Sequence, residues 1–176
     1  MTRFGRDGYR ATSVADIARD AAVGGTVTYA YFPSKEALFL AAVDEDAAGV
    51  IHEGLTSISE DPDLADWRTI LFFTLLDAVQ RHPLARRVLA GLEPEVTERV
   101  LEIPALAELR KACAERLRAQ QFTGTVRGDI DPVTLGNGIV TITLSLLMSL
   151  VQVGGGVVAT YGDDVAAVFD AALRAP

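Results

Sequence analysis

The feature that most restricts the fold is a long segment without a charged residue, from Val133 to Tyr161. It is long enough to cross a bilayer, but it contains five glycines, four threonines and two serines. Aspartates flank both ends, whereas membrane helices are usually anchored by basic residues. We therefore predict a helix over 132–153 that neighbouring helices cover on most sides. A membrane span is the alternative.

Almost every other periodic segment also predicts a helix, so the expected fold class is all-α. Period-two alternation, which is typical of strands, is scarce. Prolines and glycines separate the periodic segments, and helices end at such residues. Ser34 and Asp131 are expected N-caps, the latter followed by Pro132 in the first turn. The predicted helices are 14–21, 25–31, 35–58, 64–81, 84–91, 94–101, 104–121, 132–153 and 163–174.

Several kinds of chemical site are excluded by composition and motif. The single cysteine, Cys113, excludes an intramolecular disulfide and a thiolate metal cage, and His52 and His82 lie too far apart for a histidine motif. We find no phosphate-binding loop, nucleophile elbow or dinucleotide fingerprint. We therefore expect no catalytic residue, metal or cofactor, and an enzyme remains the minor alternative.

Charge is distributed unevenly along the chain. The net charge is −8, yet residues 1–38 carry five basic and four acidic groups. Because phosphates attract cations, an acidic body would confine any DNA contact to this N-terminal segment. The first residues contain no apolar signal segment, so a cytoplasmic location is expected.

The segment from Thr12 to Phe32 has the pattern of a helix-turn-helix. Ser13 and Asp16 form a near capping box at its start. Apolar residues then mark one face of a short helix: Val14, Ile17, Ala18 and Ala21. Gly24 and Gly25 separate it from a second short helix. Spacing alone fits a plain helical hairpin equally well.

Residues near the end of the second helix favour DNA binding. Tyr29 and Tyr31 carry hydroxyls that can donate to phosphate oxygens. Lys35 lies in the first turn of the next helix, where the helix dipole disfavours a cation unless an external anion faces it. This pattern is typical of a surface that meets a phosphate backbone.

Residues 4 to 40 resemble the DNA-binding signature of the TetR (tetracycline-repressor) family. The matching string is Gly8-Tyr9-x-x-Thr12-Ser13-Val14-x-Asp16-Ile17-Ala18-Arg19-x-Ala21-x-Val23, followed by Tyr29-x-Tyr31-Phe32-x-Ser34-Lys35-Glu36-x-Leu38. The resemblance implies a DNA-binding domain over 1–40 and a helical ligand-binding and dimerisation domain over 41–176. It also implies a repressor that binds a palindromic operator as a dimer and is released by a small molecule.

The same resemblance assigns contacts to individual residues. Those implied near bases are Gly25, Thr26 and Thr28. Those implied at phosphates are Tyr29, Tyr31 and Lys35, together with Thr12 and Ser13 at the start of the preceding helix.

Three features depart from the family pattern. Ala22 occupies the position of a usual turn glycine, although alanine resists positive φ. Val27-Thr28 reverses the common Thr-Val order. The segment before Phe4 is short, so we expect an incomplete first helix that supports the motif weakly. A helical ligand-binding or interaction protein with impaired DNA binding is therefore the alternative function.

The last two helices are apolar on two faces, one for the subunit core and one for a partner. The residues expected at a homodimer interface are Ile139, Ile142, Leu146, Val153, Val165 and Phe169. The small residues Gly136, Thr143 and Ser145 would allow the partner to approach closely. A buried core helix in a monomer is the alternative.

A ligand cavity is expected among the middle helices. Its candidate lining residues are Trp67, Phe72, Phe73, Leu76, Leu101, Leu109, Cys113 and Met148. Such an apolar stripe is more often plain core than pocket. The expected partners are double-stranded DNA, a small-molecule effector that the sequence does not identify, and a second copy of the chain, with no membrane.

Overall fold

The computed structural model describes residues 1–59, 66–97, 99–154 and 156–174, without the side chains of Thr26, Thr97, Asp163 and residues 156–161. The described part is built from α-helices and one 3₁₀ turn, Val100–Glu102, which confirms the all-α prediction. The helices are α1 (Thr2–Ala11), α2 (Val14–Asp20), α3 (Gly25–Tyr31), α4 (Lys35–Ser59), α5 (Trp67–Arg81), α6 (Pro83–Leu89), α7 (Pro94–Thr97), α8 (Pro104–Phe122), α9 (Pro132–Val153) and α10 (Gly156–Leu173).

Local sequence signals fix several of the helix ends. Ser34 accepts the backbone N–H of Ala37 at 3.0 Å, and Asp131 accepts that of Thr134 at 2.8 Å, so both predicted N-caps are confirmed. The capping box at Ser13 is wrong, because the Ser13 side chain makes no capping hydrogen bond. Helix α4 is continuous across position 40, the predicted domain boundary, so a single helix connects the N-terminal helices to the rest of the chain.

Two apolar cores hold the helices together. The larger core joins α4, α5, α8 and α9 around fully buried side chains such as Trp67, Leu71 and Leu117. The smaller core joins α1, α4 and α6, and it includes Phe4 and Phe39, whose ring centroids are 4.9 Å apart. Each large side chain buried in this way contributes roughly 1.5–3 kcal/mol. Helix α1 is therefore short but well packed, contrary to the weak support expected for it.

The C-terminal end of α1 is fixed to the segment after α6 by a buried carboxylate. Glu93 accepts the backbone N–H of Tyr9 at 3.2 Å and a hydrogen bond from Arg87 Nε at 2.9 Å. At Gly8 the φ angle is 80°, and a Cβ there would lie 2.7 Å from the Glu93 carboxylate. The glycine is required both by this kink and by the close approach of Glu93.

Helix α9 packs against α8 through a glycine. A Cβ at Gly136 would lie 3.0 Å from the backbone nitrogen of Ala114, so Gly136 serves packing within the chain rather than approach of a partner. By length and composition α9 could cross a membrane, with a mean hydropathy of 1.7. It contributes Ile139, Val140 and Leu147 to the larger core, but only about a third of its apolar stretch is buried, so the prediction that neighbouring helices cover it on most sides is wrong for a single chain.

Candidate DNA interface and ligand cavity

Helices α2 and α3 are joined by a tight turn that closes on Ala22. The backbone N–H of Val23 donates to the carbonyl oxygen of Ala18 at 3.0 Å, and that of Ala22 donates to Arg19 at 3.1 Å. This pair of bonds is a Schellman motif, which requires a left-handed residue after the helix. Ala22 supplies it with a φ of 54°. The turn is thus kept, at a cost of about 1–2 kcal/mol for a left-handed alanine.

Helix α3 presents one face to solvent and the other to α2. Tyr29 and Tyr31 are 56% and 78% exposed, and Gly25 and Val27 are exposed on the same short helix. Thr28 is buried between the helices. The predicted base contact at Thr26 falls on a side chain outside the described part. Because they are two residues apart on a helix, Tyr29 and Tyr31 lie on different sides of α3.

Two of the predicted DNA contacts point inward. The Thr12 hydroxyl donates to the Gly8 carbonyl oxygen at 2.7 Å and is buried. Thr28 is also buried, because its side chain lies on the α2-facing side of α3. We therefore remove the side chains of Thr12 and Thr28 from the set of direct contacts. Ser13 is exposed at the N-terminus of α2 and stays in that set.

Arginines near the motif are paired with carboxylates of their own surroundings. These pairs are Arg3–Asp20, Arg6–Asp7, Arg10–Glu95 and Arg19–Asp16. The hydrogen bond from Arg3 lowers the pKa of Asp20, which keeps this pair charged. Such pairs at the surface leave little net positive charge around α3.

Lys35 makes a different kind of contact. Its Nζ lies 4.5 Å from the centroid of the Tyr9 ring and 3.4 Å from the Arg10 carbonyl oxygen. Among the described basic side chains of residues 1–42, it is the one with no carboxylate within ion-pair distance. Its charge is thus available to an anion beside α3.

An apolar cavity of about 60 Å³ lies where the two cores meet. Val43, Val88 and Val100 of the smaller core form part of its wall. Leu75, Leu109, Val140 and Leu147 of the larger core are among the residues on the other side. The cavity is therefore bordered both by the smaller core, on which α1 packs, and by the larger core.

The comparison with known families identifies the N-terminal helices. Residues 2–42 match the family model described as bacterial regulatory proteins of the tetR family. Residues 2–42 thus form the N-terminal DNA-binding domain of a TetR-family transcriptional regulator, which confirms the family resemblance drawn from these residues. No curated protein sequence matches it significantly.

Solved structures show the same fold along the whole chain. The first, described as the molecular basis for control of antibiotic production by bacterial hormones, is 18% identical with a TM-score of 0.64, covering 98% of this chain and 92% of that one. A putative tetR family transcription regulator from Shewanella sp. PV-4 is 21% identical, with a TM-score of 0.54 and coverages of 99% and 94%. The ketosteroid transcriptional regulator KstR2 of Mycobacterium tuberculosis is 20% identical, with a TM-score of 0.53 and coverages of 99% and 91%.

Most of the predicted pocket residues lie outside the observed cavity. Of the eight, only Leu109 lines the cavity. Phe73 and Leu101 are about half exposed, at 52% and 51%. The remaining five lie in or against the larger core away from the cavity wall: Trp67, Phe72, Leu76, Cys113 and Met148. We therefore replace the predicted lining with the observed one.

Two of these core residues have clear structural roles. Trp67 Nε1 donates to Gln120 Oε1 at 3.1 Å, which satisfies the indole in the core. Burial raises the pKa of the Cys113 thiol to about 12, so this cysteine stays protonated and acts as a small apolar side chain.

The predicted dimer residues divide into buried and accessible ones. Ile139 is buried in the larger core, so it cannot meet a partner. Ile142 and Val153 are exposed, whereas Leu146, Val165 and Phe169 are half-buried. Small residues on the same exposed side of α9 include Gly138, Thr141 and Ser145.

Sequence reasoning missed two buried carboxylates, Asp46 and Glu93. Asp46 is 6% exposed and Glu93 3% exposed. A signal for Asp46 was present, because it lies on the apolar stripe of α4 that includes Phe39, Val43 and Val50. Glu93 follows Gly91 in a short connection, where periodicity gives no information.

Proposed function

We propose that this TetR-family protein is a ligand-responsive repressor, in which two copies bind a palindromic operator and a small molecule in the body releases them. Residues 1–40 would form the DNA-binding head and 41–176 the ligand-binding and dimerisation body. The observation that carries the DNA-binding role is the exposure of Tyr29 and Tyr31, which project into solvent from two sides of α3. A regulator that acts on DNA in this way works in the cytoplasm.

Helix α3 would enter the major groove with its N-terminal residues nearest the bases. Gly25 and Thr26 lie in this first turn, and the absence of a side chain at Gly25 allows the backbone to approach closely. Tyr29, Tyr31 and Lys35 would contact phosphates on either side, since two hydroxyls and an ammonium can each donate to a phosphate oxygen. The exposed N-terminus of α2 at Ser13 would bind another phosphate.

Dimerisation would use the exposed sides of α9 and α10. A palindromic operator presents two half-sites, so two heads are needed in one assembly. Ile142, Val153 and Val168 are exposed apolar residues on these two helices. The small residues beside them, Gly138 among them, permit close contact between copies.

The response to a ligand would follow from the cavity at the meeting point of the two cores. A molecule that binds better to one arrangement of the heads shifts the population toward it. Val43 and Val88 line the cavity and also pack in the core that holds Phe4 of α1. Displacement of these side chains would change the position of the DNA-binding head relative to the body.

DNA binding is tested with an operator selected from random duplexes, followed by fluorescence anisotropy. Tyr31→Ala and Lys35→Ala should each weaken binding to all duplexes by about tenfold, because phosphate contacts carry no sequence information. Phe122→Ala is the matched control: this aromatic residue is 93% exposed at the far end of α8. Unchanged binding by Tyr31→Ala would contradict the proposed role of α3.

Dimerisation is tested by sedimentation. Ile142→Asp combined with Val153→Asp places two charges on the proposed interface and should yield monomers with little operator affinity. Phe73→Asp, on the exposed side of α5, should leave the dimer intact. A wild-type protein that sediments as a monomer at micromolar concentration would contradict the dimer.

A further inference from the structure

The chemistry of the cavity wall limits which effector this protein can take, an inference that rests on the proposed ligand response. Among the described residues on the wall none is charged, Thr143 is the one polar residue, and the surface facing the cavity is apolar. Transfer of an unpaired charge into such surroundings is strongly unfavourable. We propose that the effector is an uncharged, largely hydrocarbon molecule that is selected by shape rather than by hydrogen bonds to side chains of the wall.

The size of the cavity shows that its walls must separate to admit such a molecule. Its volume of about 60 Å³ corresponds to about two water molecules at ~30 Å³ each. Pockets for small organic ligands usually measure about 300–1,000 Å³. Binding therefore requires the cavity to expand, so part of its wall must move.

The part of the wall next to the 3₁₀ turn is the part that can move. Val43, Val100 and Ile103 line the cavity on one side and a second, smaller cavity of about 10 Å³ on the other. Displacing these three side chains joins the two spaces and extends them toward Asp44 and Arg99. The adjoining α7 and 3₁₀ turn have only four and three residues, so few backbone hydrogen bonds resist the movement.

The same wall supports the N-terminal helices. Val43 and Val100 pack in the smaller core with Phe4 and Phe39, and Leu144 packs against both cores. A hydrocarbon inserted between the cores would therefore compete with the packing beneath α1. This explains how a molecule that makes no polar contact with the head could change its position.

The test uses two fluorescent probes with one carbon skeleton. N-phenyl-1-naphthylamine is neutral, and 8-anilinonaphthalene-1-sulfonate adds a single sulfonate. Each is titrated into the full chain. We expect the neutral probe to saturate one site per chain and to bind at least about tenfold more tightly than the sulfonate, because no cation lines the larger cavity and Arg99, which lines the smaller one, shares it with Asp44.

Variants locate the probe. Ala47→Leu adds bulk at a wall position on α4 and should weaken the neutral probe by about tenfold, whereas Leu147→Ala enlarges the space and should strengthen it by about threefold. Ala107→Leu, at an exposed position of α8, is the matched control and should bind as wild type does. Thermal unfolding of each variant shows whether it is folded, and the opposite signs expected for Ala47→Leu and Leu147→Ala cannot both arise from general destabilisation.

Equal affinity for the two probes, or affinity for the neutral probe that neither wall variant changes, would overturn the proposal. Operator binding is measured on the same samples. Normal operator binding without a cavity-dependent probe signal defeats the effector class and leaves the repressor function standing. A cavity-dependent probe signal without operator binding supports the effector class and contradicts the repressor function.

Discussion

Oδ2 of Asp46, in the middle of α4, accepts the backbone N–H of Leu84 in α6 at 2.9 Å, in the protein interior. The same oxygen accepts the N–H of Ala85 at 2.9 Å, and Oδ1 lies 3.2 Å from Nδ1 of His82. Asp46 thus caps α6 from a different helix. Helix α6 also packs closely against α1, since a Cβ at Gly5 would lie 2.9 Å from Pro83. The Asp46 carboxylate therefore fixes α6 to α4 directly and supports α1 through α6.

Removal of the Asp46 carboxylate should destabilise the protein. Asp46→Ala leaves the buried N–H groups of Leu84 and Ala85 without their acceptor, and we expect a loss of about 2–4 kcal/mol in the free energy of unfolding. Urea denaturation measures this change. Glu45→Ala, at the exposed neighbouring position, is the control, and Asp46→Asn should recover part of the loss because an amide oxygen can still accept. An Asp46→Ala variant as stable as wild type would contradict the capping role.

Replacement of the left-handed alanine in the helix-turn-helix by glycine should stabilise the protein. Ala22→Gly removes the steric cost of the φ of 54°, and we expect a gain of about 1 kcal/mol, or roughly 2–4 °C in Tm. Gly124 ends α8 in an equivalent motif with a φ of 74° and has open space around its Cα. Gly124→Ala should therefore lower stability by about the same amount. The idea fails if both substitutions change Tm in the same direction.

Two neighbouring glutamates should differ sharply in their effect on the head. Glu93→Ala removes a buried acceptor from Tyr9 N–H and from Arg87, so we expect a loss of about 2–3 kcal/mol and faster hydrogen exchange at the Tyr9 amide. Glu95 makes an exposed ion pair with Arg10, 3.1 Å apart, and a hydrogen bond to its own backbone, so Glu95→Ala should have little effect on stability and none on exchange at Tyr9. Equal exchange at Tyr9 in the two variants would rule out Glu93 as the anchor of α1.

The cap of α9 predicts a pH effect. The hydrogen bond from the Thr134 backbone N–H, with a second from its hydroxyl, holds the pKa of Asp131 below its usual value. Because the folded pKa is lower than the unfolded one of about 3.9, the stabilisation is complete above that value and is lost as pH falls through the folded pKa. Asparagine caps about as well but does not titrate. The Tm difference between wild type and Asp131→Asn should therefore shift in favour of the variant between pH 6 and pH 3, and parallel profiles would refute this.

The helices were largely predictable because their ends depend on neighbours in sequence. The range predicted for α3, 25–31, and that predicted for α9, 132–153, are the observed ones. Ser34 and Asp131 mark their helix starts through bonds to residues three positions away. Helix α10 begins at Gly156 rather than at the predicted 163, because three consecutive glycines suggested a longer interruption than the backbone makes.

The site was less predictable because it depends on which helix covers which face. Periodicity groups Ile139 with Ile142, yet one is buried against the core and the other is exposed. Thr28 shows the same limit within α3, since a seven-residue helix does not reveal which side meets α2. The cavity wall combines residues from five helices and the segment around the 3₁₀ turn, and no spacing rule within one segment identifies such a set.

The position of the cavity between the two cores has an evolutionary consequence. Under the proposed ligand response, a substitution at Val43 or Val100 would alter both the fit of the effector and the packing of Phe4 on the smaller core. Variants that gain a new effector through these residues would therefore also respond at a different effector concentration, whereas changes at Leu109 or Leu147 would alter selectivity with less effect on that concentration.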